Sequence, residues 1–397
     1  MIKIRSLRIL GFLALGILVA IPAIADAGPY HWTDISSKLT IRRNRPIWAM
    51  AYANGNWFYS DGENFNANGQ VYRSNGTTQV NITQDLRNAL MSRVDDIVSD
   101  GQSVIFLQDM APRNNQFTAI EYYPDGSYAN VTSALRNVLA ADEGIVQIVG
   151  RDGAWYISTS RLRIFKWDGG TISSPIPVSL PPLLQSDLNT ISTNSMGFGG
   201  MGYCPDSLEQ SGCSVDIVPI SGDEWLFTAV WSGYMNDLTP VPLAVFLYDG
   251  TSFVDITASI TAASIYDPTI SSNGSTALFV DGGTDGSPSQ AAFVTGAGVK
   301  KITLPCLHNF WPICDEVLGG KALWTGSDWL VMNVKQPYNL TPDGTVTFLG
   351  ETRDYFVTGA SNGKGTILLG GAVSEPTRYD PTVPLTAKLV KITDTTK

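Results

Sequence analysis

Asn54-Gly55-Asn56-Trp57, then Asn75-Gly76, then Val80-Asn81-Ile82-Thr83: these three pieces of one short stretch decide how the chain folds. An Asn-Gly pair favours the φ > 0 conformations of a tight hairpin. Trp57 then opens an aromatic-rich strand. After a variable loop comes a third apolar strand, a second Asx-Gly turn, and a short strand ending Asx-Ile-Thr. The stretch reads as four antiparallel strands joined by two tight turns and one longer loop.

The same unit recurs along the chain. First turns follow at Asp100-Gly101, Asp152-Gly153, Ser221-Gly222, Asn273-Gly274, Thr325-Gly326 and Asn362-Gly363. Trp155, Trp225 and Trp329 stand where Trp57 stands, and read as core or interblade packing. Second turns follow at Asp125-Gly126, Asp168-Gly169, Asp249-Gly250 and Asp343-Gly344, with Gly296 to Gly298 as a weaker match. Fourth strands read Ala129-Asn130-Val131-Thr132, Val254-Asp255-Ile256-Thr257 and Lys300-Lys301-Ile302-Thr303. Two connectors, 85–90 and 134–139, share Leu-Arg-Asn-(Ala/Val)-Leu. Thr83 and Thr132 are placed to cap a helical turn there, and Arg87 and Arg136 to brace neighbouring units.

Four-stranded units of about 40–50 residues are the period of propeller blades. The chain resembles β-propellers in general, without the Trp-Asp signature of WD40 blades, the paired glycines of kelch blades or a sialidase-like Asp box. The resemblance implies an all-β ring, most simply of seven blades. Its ends imply how it closes. Residues 31–36, His-Trp-Thr-Asp-Ile-Ser, match the fourth-strand motif, and residues 386–393 fit a third strand with no fourth after it. The N-terminal strand then completes the last blade, which removes a free sheet edge. If Lys391-Ile392-Thr393 were itself a fourth strand, the ring would have six or eight blades.

The first 25 residues read as a signal peptide rather than as part of the ring: Lys3, Arg5 and Arg8, an apolar run from Ile9 to Ile21, then Ala23-Ile24-Ala25. Cleavage after Ala25 or Ala27 leaves a propeller domain, 26–397, that is secreted, periplasmic or cell-surface, with no further segment able to span a bilayer. In that oxidising setting the close pairs Cys204 with Cys213 and Cys306 with Cys314 read as local disulfides. Without Lys3, Arg5 and Arg8 the chain carries 23 basic side chains against 36 acidic. Such a surface repels phosphate backbones, which argues against nucleic acid as a partner.

The chemistry expected follows from blade topology. First and third turns lie on one face and are short. Second loops and connectors lie on the other and carry the length variation, including 175–214 and 305–316. That face is the expected binding face. Its candidate ligand-binding residues are Phe310 and Trp311, held between Cys306 and Cys314, with Tyr234, Arg42, Arg43, Arg45, Asp61 and Glu63. Flat rings beside carboxylate and amide acceptors suit sugars or peptide side chains. No motif calls for a metal or cofactor: no Asp-x-Asp-x-Asp-Gly loop, no Gly-x-Ser-x-Gly, no phosphate loop. The function expected is a non-catalytic binding or interaction protein recognising a glycan or an envelope or extracellular protein. The alternative is a secreted carbohydrate-active hydrolase or lyase using a carboxylate pair on the same face.

Overall fold

The structure, a computed structural model, describes residues 30–38, 47–61, 69–108, 117–141, 145–159, 164–169, 172–173, 211–221, 224–233, 244–265, 268–281, 290–304, 321–333, 336–350, 355–372 and 387–396. After β1 (Tyr30–Asp34), blade 1 is β2 (Ala49–Ala53), β3 (Asn56–Ser60), β4 (Val71–Ser74) and β5 (Gln79–Asn81). Blade 2 is β6 (Asp96–Ser99), β7 (Val104–Gln108), β8 (Thr118–Tyr122) and β9 (Tyr128–Asn130). Blade 3 is β10 (Ile145–Arg151), β11 (Ala154–Thr159), β12 (Ile164–Trp167) and β13 (Ile172–Ser173). Blade 4 is β14 (Ser211–Pro219), β15 (Trp225–Gly233), β16 (Ala244–Tyr248) and β17 (Phe253–Asp255). Blade 5 is β18 (Pro268–Ser272), β19 (Ala277–Asp281), β20 (Gln290–Thr295) and β21 (Gly298–Thr303). Blade 6 is β22 (Lys321–Trp324), β23 (Trp329–Asn333), β24 (Gln336–Leu340) and β25 (Val346–Phe348). Blade 7 is β26 (Tyr355–Ser361), β27 (Thr366–Ala372), β28 (Ala387–Asp394) and, on its outer edge, β1. Short helices α1 (Thr83–Asn88), α2 (Thr132–Arg136) and α3 (Thr257–Ala262) lie in connectors.

These are seven four-stranded antiparallel sheets. Each blade's innermost strand packs against the next, and β26 packs against β2, so the ring is closed. The core lies between blades. Phe58 of blade 1 meets Phe106 and Tyr122 of blade 2 with ring centroids 6.2 and 5.9 Å apart. The same kind of cluster joins blade 7 to blade 1, through Leu368 and Leu389 against Trp57 and Tyr59. Burial on both sheet faces explains why the middle strands are nearly continuous apolar runs, such as Val104 to Leu107 and Ala277 to Val280. The four repeated tryptophans are buried in these clusters or beside them.

Closure is as the sequence predicts. β1 pairs antiparallel with β28, with Trp32 opposite Ile392 and Thr33 opposite Lys391. The Asx-Ile/Val-Ser/Thr motif shows why the end fits. In blade 1, Asn81 Oδ1 accepts the Thr83 N–H at 3.0 Å, and Thr83 Oγ1 accepts the Val71 N–H at 2.9 Å. The side chain extends the ladder by one bond beyond the backbone bond from Ile82 to Val71 O. Asn130 and Thr132 repeat this in blade 2, and Asp255 and Thr257 in blade 4. At the chain's start Asp34 accepts the Ser36 N–H at 2.9 Å, and Ser36 Oγ accepts the Leu389 N–H at 2.9 Å. The first strand carries the fourth-strand motif and makes the fourth-strand bonds.

Three local expectations need correction. Thr83 and Thr132 do not cap α1 and α2, because their hydroxyls accept ladder N–H groups instead. Arg136 braces its own blade, donating to Phe117 O and lying over the Phe117 ring. The Asx-Gly turns are of two kinds. Asn54-Gly55 and Asp152-Gly153 have both residues at positive φ. In the turns at 100–103, 273–276 and 362–366 positive φ is confined to glycine, at Gly101, Gly274, Gly363 and Gly365, and the Asx oxygen instead accepts two following N–H groups.

Candidate functional site

The first and third turns form one face, and they carry many hydrogen bonds both within and between blades. Ser99 Oγ accepts the Gly101 N–H at 2.9 Å and donates to Tyr52 O of blade 1 at 2.6 Å. Ser272 repeats this, accepting from Gly274 and donating to Pro219 O of blade 4. Arg73 reaches from blade 1 to Pro124 O in blade 2, and Lys300 from blade 5 to Asp343 O in blade 6. Each receiving turn is Pro-Asp-Gly. Asp125, Asp249 and Asp343 are held below the ordinary aspartate range, chiefly by hydrogen bonds from hydroxyls and backbone N–H groups of their own turns. This face is stitched blade to blade.

The opposite face is built differently. There the second strands end on buried polar side chains. Asp61, fully buried after β3, accepts the Gln70 N–H at 2.7 Å and the Tyr72 hydroxyl at 3.3 Å. Tyr72 also donates to Gln70 Oε1 at 2.5 Å, and Asn81 donates to the same oxygen at 3.0 Å. Burial, then Tyr72 and Asp61, push the neighbouring Tyr59 hydroxyl far above the usual phenol range. In blade 2, Gln108 Oε1 accepts the N–H groups of Ser92 and Arg93 at 2.7 and 3.2 Å, which fixes the incoming connector. In blade 5, buried Asp281 lies opposite buried Gln290. At the other end of blade 2, beside its third turn, Tyr122 donates to Asp85 of α1 at 3.1 Å; burial and that bond raise its hydroxyl to about 12. On the loop face Asp61, Gln108 and the Asp281–Gln290 pair mark the places where long segments leave or enter the ring.

Of the sequence candidates, the structure places Asp61, as the buried base of its loop. Arg42, Arg43, Arg45, Glu63, Tyr234, Phe310 and Trp311 lie outside the described residues, as do Cys204, Cys306 and Cys314. Cys213 is in β14, with its backbone opposite Trp231. Among the described residues no group of three or more His, Cys, Asp or Glu side chains is placed to hold a metal ion. Among them also, no helix is long and apolar enough to cross a membrane.

Sequence reasoning missed two features. One is the loop-base network of Gln70, Tyr72 and Gln108, whose residues carry no motif and become a network only through strand pairing. The other is a cavity of about 300 Å³ on the stitched face between blades 5 and 6. Its lining includes Asn273, Thr276, Phe293, Lys300, Trp329 and Pro342. It lies at the step between the two-residue turn at 296–297 and the longer Pro342-Asp343-Gly344 turn.

No family model matches the chain, and no curated protein matches it in sequence. Solved structures do. Virginiamycin B lyase from Staphylococcus aureus superposes over 92% of this chain and 99% of its own, at 13% identity and a TM-score of 0.51. YCF48, solved bound to D1 peptide, covers 92% and 97% at 9% identity and a TM-score of 0.50. PorZ, a surface component of the type-IX secretion system of Porphyromonas gingivalis, is similar over 87% of this chain at 11% identity and a TM-score of 0.47. The chain spans 38% of PorZ's length. At these identities the likeness is one of fold. With the closed ring of four-stranded sheets it establishes a seven-bladed β-propeller, an architecture whose solved neighbours include both enzymes and binding proteins.

Proposed function

We propose that this chain is an exported binding propeller. After removal of a signal peptide at 1–25, its domain 26–397 recognises a glycan or an envelope or extracellular protein through the loop-and-connector face. The observation that carries this reading is the contrast between the faces. One is closed by blade-to-blade hydrogen bonds through short turns. The other sends out every long segment, and its described strand ends are fixed by buried Asp61, Gln108 and the Asp281–Gln290 pair. Fixed loop bases reduce the ordering cost of binding. YCF48 is bound to a peptide, and a protein partner is a natural use of the same ring.

On that face we assign contact roles to Phe310, Trp311, Tyr234, Arg42, Arg43, Arg45 and Glu63, with Asp61 supporting its loop. Cys204–Cys213 and Cys306–Cys314 disulfides hold two of the connectors. The test is a binding screen of the purified protein against envelope glycans and extracellular proteins, followed by Trp311→Ala and Arg43→Ala. The expected result is a ligand whose affinity falls about tenfold or more in Trp311→Ala, with an unchanged melting temperature. Equal binding by both variants and the parent contradicts the site. Turnover of a screened glycan contradicts the non-catalytic reading and favours a carbohydrate-active hydrolase or lyase.

A further inference from the structure

Blade 6 meets the closing blade 7 across a seam that is polar at its turn-face end, and strand alternation places the groups there. Leu330 and Met332 of β23 lie in one cluster with Tyr30, Val390 and Ile392 of blade 7, whereas Trp329 and Val331 face blade 5. Asp328, just before β23, therefore falls on the blade 7 side. Tyr338 and Leu340 face blade 5, so Asn339 faces blade 7, where its Oδ1 accepts the Tyr30 hydroxyl at 2.7 Å. On β28, Val390 and Ile392 face blade 6, and Asp394 continues that side, directly opposite Tyr30 in the ladder. The Asp394 N–H donates to Gly365 O at 2.8 Å, and the Gly365 N–H donates to Thr325 O at 2.6 Å, which brings Asp394 against the 325–328 turn.

Asp394 is 2% exposed. Its Oδ1 accepts the N–H and hydroxyl of Thr396 at 2.8 and 2.6 Å. Its Oδ2 is buried and meets no donor among the described residues. A buried carboxylate oxygen facing neither donor nor cation is costly. The polar groups at this end of the seam include the Tyr30 and Thr325 hydroxyls, the Asn339 amide and the Asp328 carboxylate. The Tyr30 hydroxyl reports both acids. Burial and then the charge of Asp328 push it well above the phenol range, with a smaller push from Asp394 against a bond from Thr325.

We propose that this seam binds a Ca²⁺ ion through Asp394 Oδ2 and the Asp328 carboxylate, with neighbouring hydroxyl and carbonyl oxygens completing the shell. Hard oxygen ligands of mixed charge drawn from carboxylates, hydroxyls and carbonyls suit Ca²⁺, which accepts varied geometries, better than Mg²⁺, which demands a near-ideal octahedron. Two carboxylates balance the ion's charge. So few acidic ligands imply an affinity of about 10⁻⁴–10⁻³ M, the range of extracellular modules. The ion joins the last residue of β28, and through it β1, to blade 6. It is a clasp on the ring's closure, and it is independent of the binding face.

The test uses protein purified into EDTA. Millimolar CaCl₂ is expected to raise the melting temperature by several degrees over EDTA. Tb³⁺ is expected to give a saturable emission sensitised by Trp329 and displaced by Ca²⁺. In Asp394→Asn both responses vanish, while its melting temperature in EDTA is at least the parent's, because the uncompensated charge is gone. Asp328→Asn, which serves as the test should Asp394→Asn fail to fold, is expected to lower the Tb³⁺ affinity about tenfold as one ligand is lost, and an unchanged affinity in it overturns the site. A parent melting temperature that is equal in CaCl₂ and EDTA overturns the proposal. So does a Ca²⁺ response that persists in Asp394→Asn, which places the ion elsewhere.

Discussion

Asp249 and Asp61 are both aspartates just past strand ends, on opposite faces of the ring. Asp249 is exposed, and accepts the N–H groups and hydroxyls of Thr251 and Ser252 within its own turn. Asp61 is fully buried and anchors the far end of a loop nine residues away. The turn face spends its polar groups on local caps and on bonds to the next blade. The loop face spends them at the roots of its long segments. One face closes the ring, and the other keeps a rigid platform for segments that differ from blade to blade.

Breaking the stitched face should have the largest effect. Gly150 of β10 lies so close to blade 2 that an added Cβ would sit 2.2–2.4 Å from the backbone of Ser99 and Asp100. Backbone cannot swing aside as a flexible side chain can. Gly150→Ala should cost about 3 kcal/mol or more in urea unfolding, at or beyond the upper end of ordinary overpacking. An unchanged midpoint would mean that the blades are not packed this closely.

On the loop face, Asp61→Ala leaves the Gln70 N–H without its acceptor and a void beside Tyr72, whose hydroxyl keeps Gln70 Oε1. A loss of about 2 kcal/mol is expected, with faster hydrogen exchange at Gln70 and Val71 and little change at the turn of residues 100–103. Equal acceleration on both faces would erase the contrast between them.

The smallest effect is in acid. Asp125, Asp249 and Asp343 have folded values below the ordinary 3.8. Their contribution to stability is fully present above that value and fades as pH falls through the lower folded values. Asn caps such turns as Asp does, so Asp249→Asn should flatten the acid limb of the melting curve slightly and leave neutral stability nearly unchanged. A steeper acid limb in Asp249→Asn would reverse the assigned sign.

The fold was legible because the repeat is local. Each Asx-Gly turn, each following Trp and each Asx-Ile/Val-Thr ending is set by neighbours in sequence, and the same pattern at 34–36 gave away the closure. The division of Asx-Gly turns into two kinds was not legible, because the choice between positive φ and a side-chain cap depends on the length of each turn. Neither were the roles of Gln70, Tyr72 and Gln108, which meet their partners only through strand pairing and connector return within a blade, or of Tyr30 and Asp394, which meet theirs at the seam between blades 6 and 7. The loop candidates, by contrast, were read from composition on a face that topology assigned.

The central claim is that the N-terminal strand completes blade 7 in one register. It predicts that Thr33→Cys with Lys391→Cys, which are Cα partners with both side chains partly accessible, forms a disulfide on mild oxidation, since facing strand residues lie within disulfide reach. Peptide mapping should find residue 33 linked to residue 391, and should find no link for Thr33→Cys with Thr395→Cys. Equal yields from the two pairs, or no 33–391 link in folded protein, would contradict closure by this strand.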